Sequence, residues 1–350
     1  MGRGGAETMI MNYYRCLDRS KYQFDFFVHR KERADYDDEI ESMGGRIFRA
    51  FPIYPQNYFS YFSFLDAFFK KHHTDFVAVH CHIQENSGFA LKYAAKYGIK
   101  NRLCTSHCAG KSFDFKYPFR LFASFFLQKY VTKRLSCGID AGKALYGKEK
   151  FLIFPNAINV DDFIFNECIR KKLRKDLCLN DSLVIGNVAR LSPEKNHLFM
   201  IDVFEELLKL QSNAKLIFVG SGQMYSAIQK KIKERCLEDK IMMLGVRNNV
   251  NQILQAFDIL LFPSLFEGLP MSVIEAQTAG LKCVLSDSID KDVMITDNVY
   301  FLSLKREPKY WAQMILEKSN YMRENMAGQI KSTGYDVKSN IEKLLSLYLQ

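Results

Sequence analysis

Apolar residues cluster into short runs that alternate with longer segments of helical spacing. In the first half, these runs predict strands at residues 23–28, 46–49, 76–81, 102–106, 135–138 and 151–154. In the second half, almost continuously apolar runs predict strands at 183–189, 214–220, 240–245, 258–263 and 282–287. Such runs are typical of parallel strands covered by helices on both faces of the sheet.

The segments between these strands have the apolar spacing of helices. They predict helices near residues 5–18, 59–73, 87–97, 117–133, 140–146, 197–211, 223–236, 248–257 and 271–280. Because strands and helices alternate in both halves, the sequence predicts an α/β protein with two doubly wound domains. The length of 350 residues agrees, since single cores rarely grow past about 250–300 residues.

The polar, turn-rich segment PNAINVDDF separates the two halves. We therefore expect an N-terminal domain at residues 1–157 and a C-terminal domain at 158–335. The spacing of apolar residues in 336–350 predicts an amphipathic helix that packs back towards the N-terminal domain. No strand precedes the glycine pair at residues 4–5, so the first strand of the N-terminal sheet is missing. We expect the chain to begin inside its own fold.

Composition and charge narrow the class of protein. Apolar residues make up 48% and charged residues 25% of the chain, as in ordinary globular proteins. The sequence has no apolar run near the ~18 residues of a membrane span and no signal peptide. Nine cysteines without a secretion signal favour reduced thiols and a cytoplasmic location. Nearly all of the net charge of +10 falls in residues 1–160, which favours a polyanionic partner over a merely solvated basic face.

Two loops in the second half carry residues suited to binding a phosphorylated ligand. In VARLSPEKNH, Arg190 and Lys195 follow a predicted strand, where ligands bind in open α/β sheets. The planar guanidinium of Arg190 and the flexible ammonium of Lys195 together suit a diphosphate. The alternative is that both are solvated loop cations. In FVGSGQM, Gly220 and Gly222 allow a tight turn and close backbone approach, a weak signal that is often structural.

The stretch FPSLFEGLPMSVIEAQTAG places two carboxylates, Glu267 and Glu275, in a segment that otherwise resembles protein interior. Carboxylates are rarely buried without a partner. Glu267 precedes a helix that starts near Pro270, and Glu275 lies within that helix. The two groups can therefore contact different parts of one bound molecule. The alternative is a structural ion pair at Glu275 and a solvated Glu267.

PSLFEGLPMSVIEA resembles the E-x7-E motif of retaining glycosyltransferases of family four, which have the two-domain GT-B architecture. The segments RGGAE, VHCHIQENSGFAL, CTSH, FPNAIN, VARLSPEKN and FVGSGQ resemble other parts of that family in the same order, over nearly the whole chain. The resemblance implies two Rossmann-like domains facing a central cleft. FPNAIN departs from the family, with Ala157 where Gly is frequent and Asn159 where Asp is frequent.

The resemblance also implies roles for individual residues. Glu275 would bind the ribose hydroxyls of a nucleotide, Glu267 would lie beside the donor sugar as a catalytic residue, and Arg190 and Lys195 would neutralise the diphosphate. His107 would lie in the active-site wall of the N-terminal domain, as a second catalytic residue. The remaining donor-binding positions are Gly4, Gly5, Gly222, Val246, Gly268, Leu269, Pro270 and Met271.

The implied reaction moves a sugar from a nucleotide-diphosphate sugar, UDP ahead of GDP, to a glycan or polyprenyl-diphosphate-linked acceptor. It proceeds with retention of configuration and without a metal or other cofactor. The resemblance favours bacterial surface polysaccharide biosynthesis, at the cytoplasmic face of the membrane or free in the cytoplasm. A non-catalytic nucleotide-binding module and a phosphorylase-like GT-B enzyme are the alternatives, but a phosphorylase usually has a much longer chain.

Three other features have competing interpretations. His80, Cys81, His82, Cys104, His107 and Cys108 could be imagined as a zinc site, but their spacing matches no structural zinc pattern. Asp35 and Asp37 form an apparent D-x-D that we interpret as the solvated start of a helix. The stretch at 111–134 interleaves aromatic and basic residues, which fits a membrane interface, single-stranded nucleic acid or a core-packing helix. We favour an anionic membrane surface and expect no nucleic acid partner.

Overall fold

The computed structural model describes residues 1–2, 4–107 and 116–349. The chain forms two compact units. Unit 1 contains Met1–Ile158 and Gly334–Gln350, and unit 2 contains Asn159–Thr333. The division therefore falls within the turn-rich segment around residue 158, and the last helix of the chain is part of unit 1.

The strands and helices alternate along both units. The strands are β1 (Phe26–Val28), β2 (Ile47–Arg49), β3 (Ala78–Cys81), β4 (Asn101–Ser106), β5 (Lys133–Ser136), β6 (Leu152–Ile153), β7 (Leu183–Val188), β8 (Ala214–Val219), β9 (Ile241–Met243), β10 (Ile259–Phe262), β11 (Lys282–Ser286) and β12 (Val299–Leu302). The helices are α1 (Gly5–Cys16), α2 (Asp37–Ser42), α3 (Tyr58–His72), α4 (Ser87–Lys96), α5 (Tyr117–Tyr130), α6 (Ile139–Tyr146), α7 (Val160–Phe163), α8 (Glu167–Asp176), α9 (His197–Leu210), α10 (Tyr225–Glu234), α11 (Val250–Ala256), α12 (Met271–Thr278), α13 (Pro308–Ser319), α14 (Ala327–Ser332) and α15 (Val337–Leu349).

Unit 2 is built on a parallel sheet with the strand order β12-β11-β10-β7-β8-β9. The order grows outwards from β7 in both directions, which is the doubly wound pattern of a Rossmann fold. Every residue of β10 is buried, as the near-continuous apolar run DILLFP predicts. The loops that follow β7 and β10 leave the sheet at the point where the strand order reverses, and this is where such folds bind ligands.

The strands of unit 1 form two separate parallel sheets, β1-β2 and β3-β4-β5-β6. In the described part of the chain, no hydrogen-bonded strand joins the two sheets. Both are parallel, with β3 and β4 paired from Ala78 opposite Asn101 to Cys81 opposite Cys104. This register places the residues that follow β3 and β4 side by side at one edge of the larger sheet.

Helix α15 packs against α1 in the core of unit 1. Its buried residues Val337, Ile341, Leu344 and Leu345 lie in one apolar cluster with side chains of α1, β1 and α2. The start of α15 is hydrogen bonded to Ile158, the last residue of the N-terminal segment of unit 1. In this bond Val337 N–H donates to Ile158 C=O at 2.9 Å. The apolar face that the sequence predicts for this helix is therefore used to complete the unit 1 core.

Helix α5 exposes an unusual number of large apolar side chains. Phe125 is 62% exposed, and Leu121, Phe122 and Phe119 are also exposed, while Ala123 and Leu127 of the same helix are fully buried. Phe122 lies 6.3 Å from Tyr58 of α3, measured between ring centroids. The first part of the predicted aromatic stretch, residues 111–115, lies outside the described residues. No helix in the described ranges combines the length and the apolar character that crossing a bilayer requires.

Candidate functional site

The loops after β7 and β10 meet at the reversal point of the unit 2 sheet. Lys195 ends a short 3-10 turn after β7, and Glu267 lies in the loop between β10 and α12. The Lys195 ammonium donates a hydrogen bond to the Glu267 carboxylate, so the two side chains form an ion pair. Both are largely buried, at 16% and 17% exposure. The structure thus brings together two residues that the sequence assigns to one donor site.

Backbone and side-chain hydrogen bonds fasten these two loops to each other. Asn196 has left-handed backbone angles, φ 59° and ψ 38°, and its side-chain amide donates to Pro263 C=O at 3.1 Å. Leu265 N–H donates to Glu194 C=O at 2.8 Å. A residue in this conformation reverses the chain sharply between the 3-10 turn and α9. The positions of Lys195 and Glu267 are therefore set by the fold rather than by a freely moving loop.

Opposing effects act on the pKa of the Lys195 ammonium. Burial lowers the pKa of Lys195 to about 8, with Glu194 opposing this shift and Arg190 adding to it. The adjacent Glu267 carboxylate also favours the charged amine, because opposite charges stabilise each other at close range. The Lys195 ammonium lies 5.3 Å from the centre of the Phe262 ring, a further cation–π contact. A cation held this way can exchange its carboxylate partner for a phosphate oxygen.

Arg190 supplies a second cation beside Lys195. It follows β7 directly, and its exposed guanidinium makes no hydrogen bond or ion pair with the described residues. Glu194, in contrast, is occupied, because the Ser192 hydroxyl donates to it at 2.5 Å and holds its pKa below the ordinary value. The loop after β7 therefore offers one unpaired guanidinium and one exchangeable ammonium.

Glu275 lies on α12, one turn after the helix begins at Met271. Its carboxyl group is partly buried, and none of the described residues forms a hydrogen bond or an ion pair with it. Burial raises the pKa of Glu275 to about 7. Its structural alternative, an ion pair with a neighbouring cation, is absent among these residues. An unpartnered, partly buried carboxyl group is well suited to accept hydrogen bonds from a ligand.

Gly220 and Gly222 let the loop after β8 approach the loop after β7. A side chain at Gly222 would place its Cβ 2.4 Å from Leu191 C=O, and one at Gly220 would place it 2.0 Å from Ala189 C=O. The two loops are hydrogen bonded, since Leu191 N–H donates to Ser221 C=O at 2.9 Å. Both glycines are therefore required for backbone packing, the structural interpretation of this weak motif. Packing of this kind also supports the Arg190 loop.

The predicted donor-binding positions around the start of α12 lie beyond the carboxyl end of β10. Pro270 is the cap residue of α12 and Met271 its first residue, one position later than the sequence suggests. The space around Gly268 is open, because a Cβ at this position would meet no atom within 4 Å. Leu269 follows it in the same loop. Val246, which is 52% exposed, follows β9 at the same edge of the sheet.

The remaining predicted site residues belong to unit 1. Gly4 caps α1 and Gly5 is its first residue, and a Cβ at Gly4 would lie 2.2 Å from the Glu7 carboxylate. His107 follows β4 and hydrogen bonds through Nε2 to Nδ1 of His82 at 2.9 Å. Burial lowers the pKa of His107 to about 4, while a hydrogen bond with Asn156 opposes the shift. The sequence names His82 only as a possible zinc ligand and not as a partner of His107, because this contact depends on the register of two strands.

The alternative metal sites can now be compared with the structure. Within residues 1–2, 4–107 and 116–349, no group of three or more His, Cys, Asp or Glu side chains is arranged to hold a metal ion. Cys108 lies outside the described residues. The interpretation of Asp37 as solvated is wrong, because Asp37 is fully buried and accepts a hydrogen bond from Arg49 at 2.6 Å.

Comparisons with known proteins cover both units. The family described as Glycosyltransferase Family 4 matches residues 3–139, and the family described as Glycosyl transferases group 1 matches residues 169–325. The putative glycosyltransferase EpsF of Bacillus subtilis is 33% identical over 99% of this chain and 94% of its own length. The capsular polysaccharide biosynthesis glycosyltransferase CapH of Staphylococcus aureus is 28% identical over 100% of this chain and 96% of its own length.

Two further comparisons concern substrates and fold. The UDP-Gal:alpha-D-GlcNAc-diphosphoundecaprenol alpha-1,3-galactosyltransferase of Escherichia coli is 25% identical over 62% of this chain and 60% of its own length. The crystal structure of Anabaena Alr3699/HepE in complex with UDP and glucose matches with a TM-score of 0.76 at 18% identity, over 98% of this chain and 96% of that chain. EpsF and CapH match along nearly their whole length, and the structural match shows the same fold. The chain therefore belongs to the family-four glycosyltransferases and is a glycosyltransferase of the two-domain GT-B architecture.

Proposed function

We propose that this enzyme transfers a sugar, with retention of configuration, from a UDP-sugar to a hydroxyl group of a glycan or lipid-linked sugar in bacterial surface polysaccharide biosynthesis. The observation that carries the donor assignment is the partly buried carboxyl group of Glu275, which has no partner among the described residues. Ribose hydroxyls provide the hydrogen-bond donors that this group lacks. A diphosphate provides the negative charge that Arg190 and Lys195 would bind.

The relatives support the donor and the pathway. CapH acts in capsular polysaccharide biosynthesis, and the Escherichia coli enzyme uses UDP-Gal and a diphosphoundecaprenol-linked acceptor. HepE was crystallised with UDP and glucose. We therefore place UDP ahead of GDP as the nucleotide of this enzyme. A sugar carried on a polyprenyl diphosphate is the acceptor that we would test first.

The ion pair of Lys195 and Glu267 provides a route to stabilising the leaving group. As the diphosphate enters, the Lys195 ammonium exchanges the Glu267 carboxylate for a phosphate oxygen. This exchange leaves Glu267 free to face the donor sugar, where it binds hydroxyls and stabilises positive charge at the anomeric carbon. Arg190 neutralises the second phosphate. The cations belong to the protein, so we propose that transfer needs no metal ion.

We propose the retaining course because the family-four resemblance implies it, and the carboxylates left for the sugar bear only on how retention is achieved. A double displacement needs two carboxyl groups about 5–5.5 Å apart that flank the reacting carbon, and we assign Glu275 to the ribose. We therefore propose that the anomeric C–O bond to the diphosphate breaks while the acceptor hydroxyl attacks the same face. The acceptor oxygen forms the new glycosidic bond, and its proton passes to the departing phosphate oxygen.

The test is transfer with a panel of donors and one defined acceptor. The full chain is incubated with UDP-glucose, UDP-galactose, UDP-N-acetylglucosamine or GDP-mannose and undecaprenyl-diphosphate-linked N-acetylglucosamine, in buffer with EDTA. We expect a product from one UDP-sugar, with the same anomeric configuration as the donor by NMR. Product of inverted configuration, or transfer only from GDP-mannose, would overturn the corresponding part of the proposal, and a requirement for added metal would overturn metal independence.

We also propose that unit 1 binds an anionic membrane surface through the exposed side chains of α5. Phe125 and Leu121 would enter the headgroup region. Lys116 and Lys129 are exposed near the two ends of the same helix and would contact acidic lipids. Phe59 of α3, 87% exposed, extends this apolar surface where Tyr58 contacts α5. A peripheral location would bring a polyprenyl-linked acceptor within reach.

Flotation with phosphatidylglycerol vesicles distinguishes binding through α5 from nonspecific binding through other exposed apolar side chains. We expect the double variant Leu121→Ser/Phe125→Ser and the double variant Lys116→Glu/Lys129→Glu each to reduce the vesicle-bound fraction at least several-fold. Leu210→Ser/Met322→Ser removes exposed apolar side chains of unit 2 and should leave binding unchanged. Equal binding by all four proteins would rule out α5 as the contact surface.

A further inference from the structure

Three histidines of unit 1 form a continuous stack at the carboxyl ends of β3 and β4. The His80 and His82 ring centroids lie 4.2 Å apart, and those of His82 and His107 lie 5.2 Å apart. His82 Nδ1 and His107 Nε2 share a hydrogen bond of 2.9 Å. The role that the family resemblance implies for His107 leaves the other two rings unexplained.

His80 anchors the stack to two different elements. Its Nε2 hydrogen bonds to the Thr105 hydroxyl of β4, and its Nδ1 hydrogen bonds to the Tyr348 hydroxyl of α15, both at 2.7 Å. Both ring nitrogens are therefore occupied, which fixes the plane of the ring. The ring of His82 contacts the His80 ring at an interplanar angle of 38°. Through His80, the position of His82 depends on the docking of the C-terminal helix.

The hydrogen bond between His82 and His107 contains a single proton when both rings are neutral. Burial lowers the pKa of His80 to about 3 and that of His82 below its ordinary range, so the stack is uncharged at neutral pH. A neutral imidazole carries its one proton on either Nδ1 or Nε2. If His82 donates from Nδ1, then His107 accepts at Nε2 and carries its own proton on Nδ1. If His82 accepts, His107 has the opposite tautomer.

We propose that His82 is a positioning residue that fixes the ring orientation and the tautomer of His107, with His80 as the platform that holds His82 in place. This inference rests on the proposed function and on the place in the active-site wall that the family resemblance implies for His107. Removing the partner that orients a metal-ligating histidine typically costs ten- to a hundredfold in activity, and we expect a loss of similar size for His107. The effect should fall on the rate of transfer, because His82 and the nucleotide-binding residues lie in different units.

Three variants of His82 and one of Tyr348 test the proposal by activity. His82→Asn keeps an amide near the position of Nδ1, whereas His82→Gln places its amide near Nε2 and His82→Phe keeps only the ring stacking. We expect kcat to fall about ten- to a hundredfold in His82→Phe and His82→Gln, and His82→Asn to retain most of it. The Kd for UDP should stay within twofold in all three variants. Tyr348→Phe removes one bond to His80 and should lower kcat less than His82→Phe.

The tautomer of His107 can be measured without any turnover. In long-range ¹H–¹⁵N spectra of the histidine-labelled full chain, His107 should show one tautomer in the wild type and an averaged pattern in His82→Phe. An unchanged His107 pattern in His82→Phe overturns the proposal, as does equal kcat in the Asn and Gln variants. If the wild type transfers no sugar but the His107 pattern changes as expected, the positioning role stands and the proposed function fails.

Discussion

Lys195 and Glu267 form an ion pair between loops that leave the two central strands of the unit 2 sheet. The pair joins the cation expected to bind the leaving diphosphate to the carboxylate expected to face the donor sugar. Each group satisfies the charge of the other in a largely buried place. Because the loops are hydrogen bonded to each other, donor binding changes the partners of these side chains without rebuilding the backbone.

The first prediction follows from this pairing. Glu267→Gln should lower kcat by about a hundredfold or more, because the variant loses a carboxylate close to the developing positive charge. The same variant should bind UDP as tightly as the wild type or several-fold more tightly, since Lys195 no longer has a competing carboxylate. Isothermal titration calorimetry measures the Kd, and initial rates give kcat. Weaker UDP binding in Glu267→Gln would contradict the exchange of partners.

A second prediction concerns the pH dependence of donor binding. The ionised carboxylate of Glu275 accepts hydrogen bonds from ribose hydroxyls, and its pKa of about 7 means that it becomes protonated as pH falls below 7. The affinity for UDP-glucose, whose diphosphate has no monoester group titrating near this range, should therefore fall between pH 7.5 and pH 5.5. Glu275→Gln should bind UDP-glucose weakly at every pH. A pH dependence that survives in Glu275→Gln would assign it to another group.

Glu275 should also affect stability, which gives a third prediction. A carboxyl group with a raised pKa stabilises the folded state below the unfolded pKa of about 4.5, and this contribution is lost as pH rises through 7. The difference between 4.5 and about 7 corresponds to roughly 3 kcal/mol. Glu275→Gln should therefore melt higher than the wild type at pH 8 and close to it at pH 5. A constant difference in Tm across this range would show that ionisation of Glu275 is not the cause.

The sequence predicts all six described strands of unit 1 and five of the six strands of unit 2, but it predicts the strand bounds more closely in unit 2. Long apolar runs mark β7, β8, β10 and β11, because both faces of these strands are covered. The sequence does not predict β12, α8 or α13. The strand β12 is missed because it has only four residues and lies at the edge of the sheet. In unit 1 the run at 23–28 forms only the three-residue strand β1.

In the candidate site, too, the sequence predicts the positions of some residues but not their side-chain contacts. The motif spacing correctly placed Glu267 in a loop before the helix and Glu275 inside it. The ion pair of Lys195 with Glu267 could not be predicted, because it depends on hydrogen bonds between two loops 72 residues apart. The contact of His82 with His107 depends on strand register in the same way. Sequence patterns identify which chemical groups reach one edge of a sheet, but side-chain partners are decided by packing.

Gly222 and Gly268, both predicted to bind the donor, should respond differently to the same substitution. Gly222→Ala forces a Cβ to within 2.4 Å of the Leu191 carbonyl oxygen, a backbone atom that cannot move freely. We expect a loss of about 1–3 kcal/mol in stability. Gly268→Ala meets no atom within 4 Å, so its stability should stay within about 0.5 kcal/mol of the wild type while its Kd for UDP-glucose rises. Urea unfolding and calorimetry measure these two effects, and equal stability losses would show that the Gly268 loop is also packed.

The last prediction is that acid weakens unit 1 before unit 2. Burial lowers the pKa of His29 and His107 to about 4 and that of His80 to about 3, and all three lie in unit 1. The stability that such neutral histidines provide is complete above pH 6.5 and is lost as pH falls towards these values. At pH 5 the loss is about 2 kcal/mol for each histidine. In unit 2 the depressed pKa of His197 acts in the same direction, but the raised pKa of Glu275 opposes it.

Trp311 makes this difference measurable. It is the single tryptophan of the chain and is fully buried in unit 2, so its fluorescence follows that unit. Far-UV circular dichroism follows both units. Between pH 7.5 and pH 5, the midpoint of urea unfolding should move little by fluorescence, while circular dichroism should reveal an earlier transition that comes from unit 1. His29→Gln removes one of the responsible groups and should weaken the acid sensitivity of that transition. If the two signals shift together at pH 5, the histidines of unit 1 do not control its acid stability.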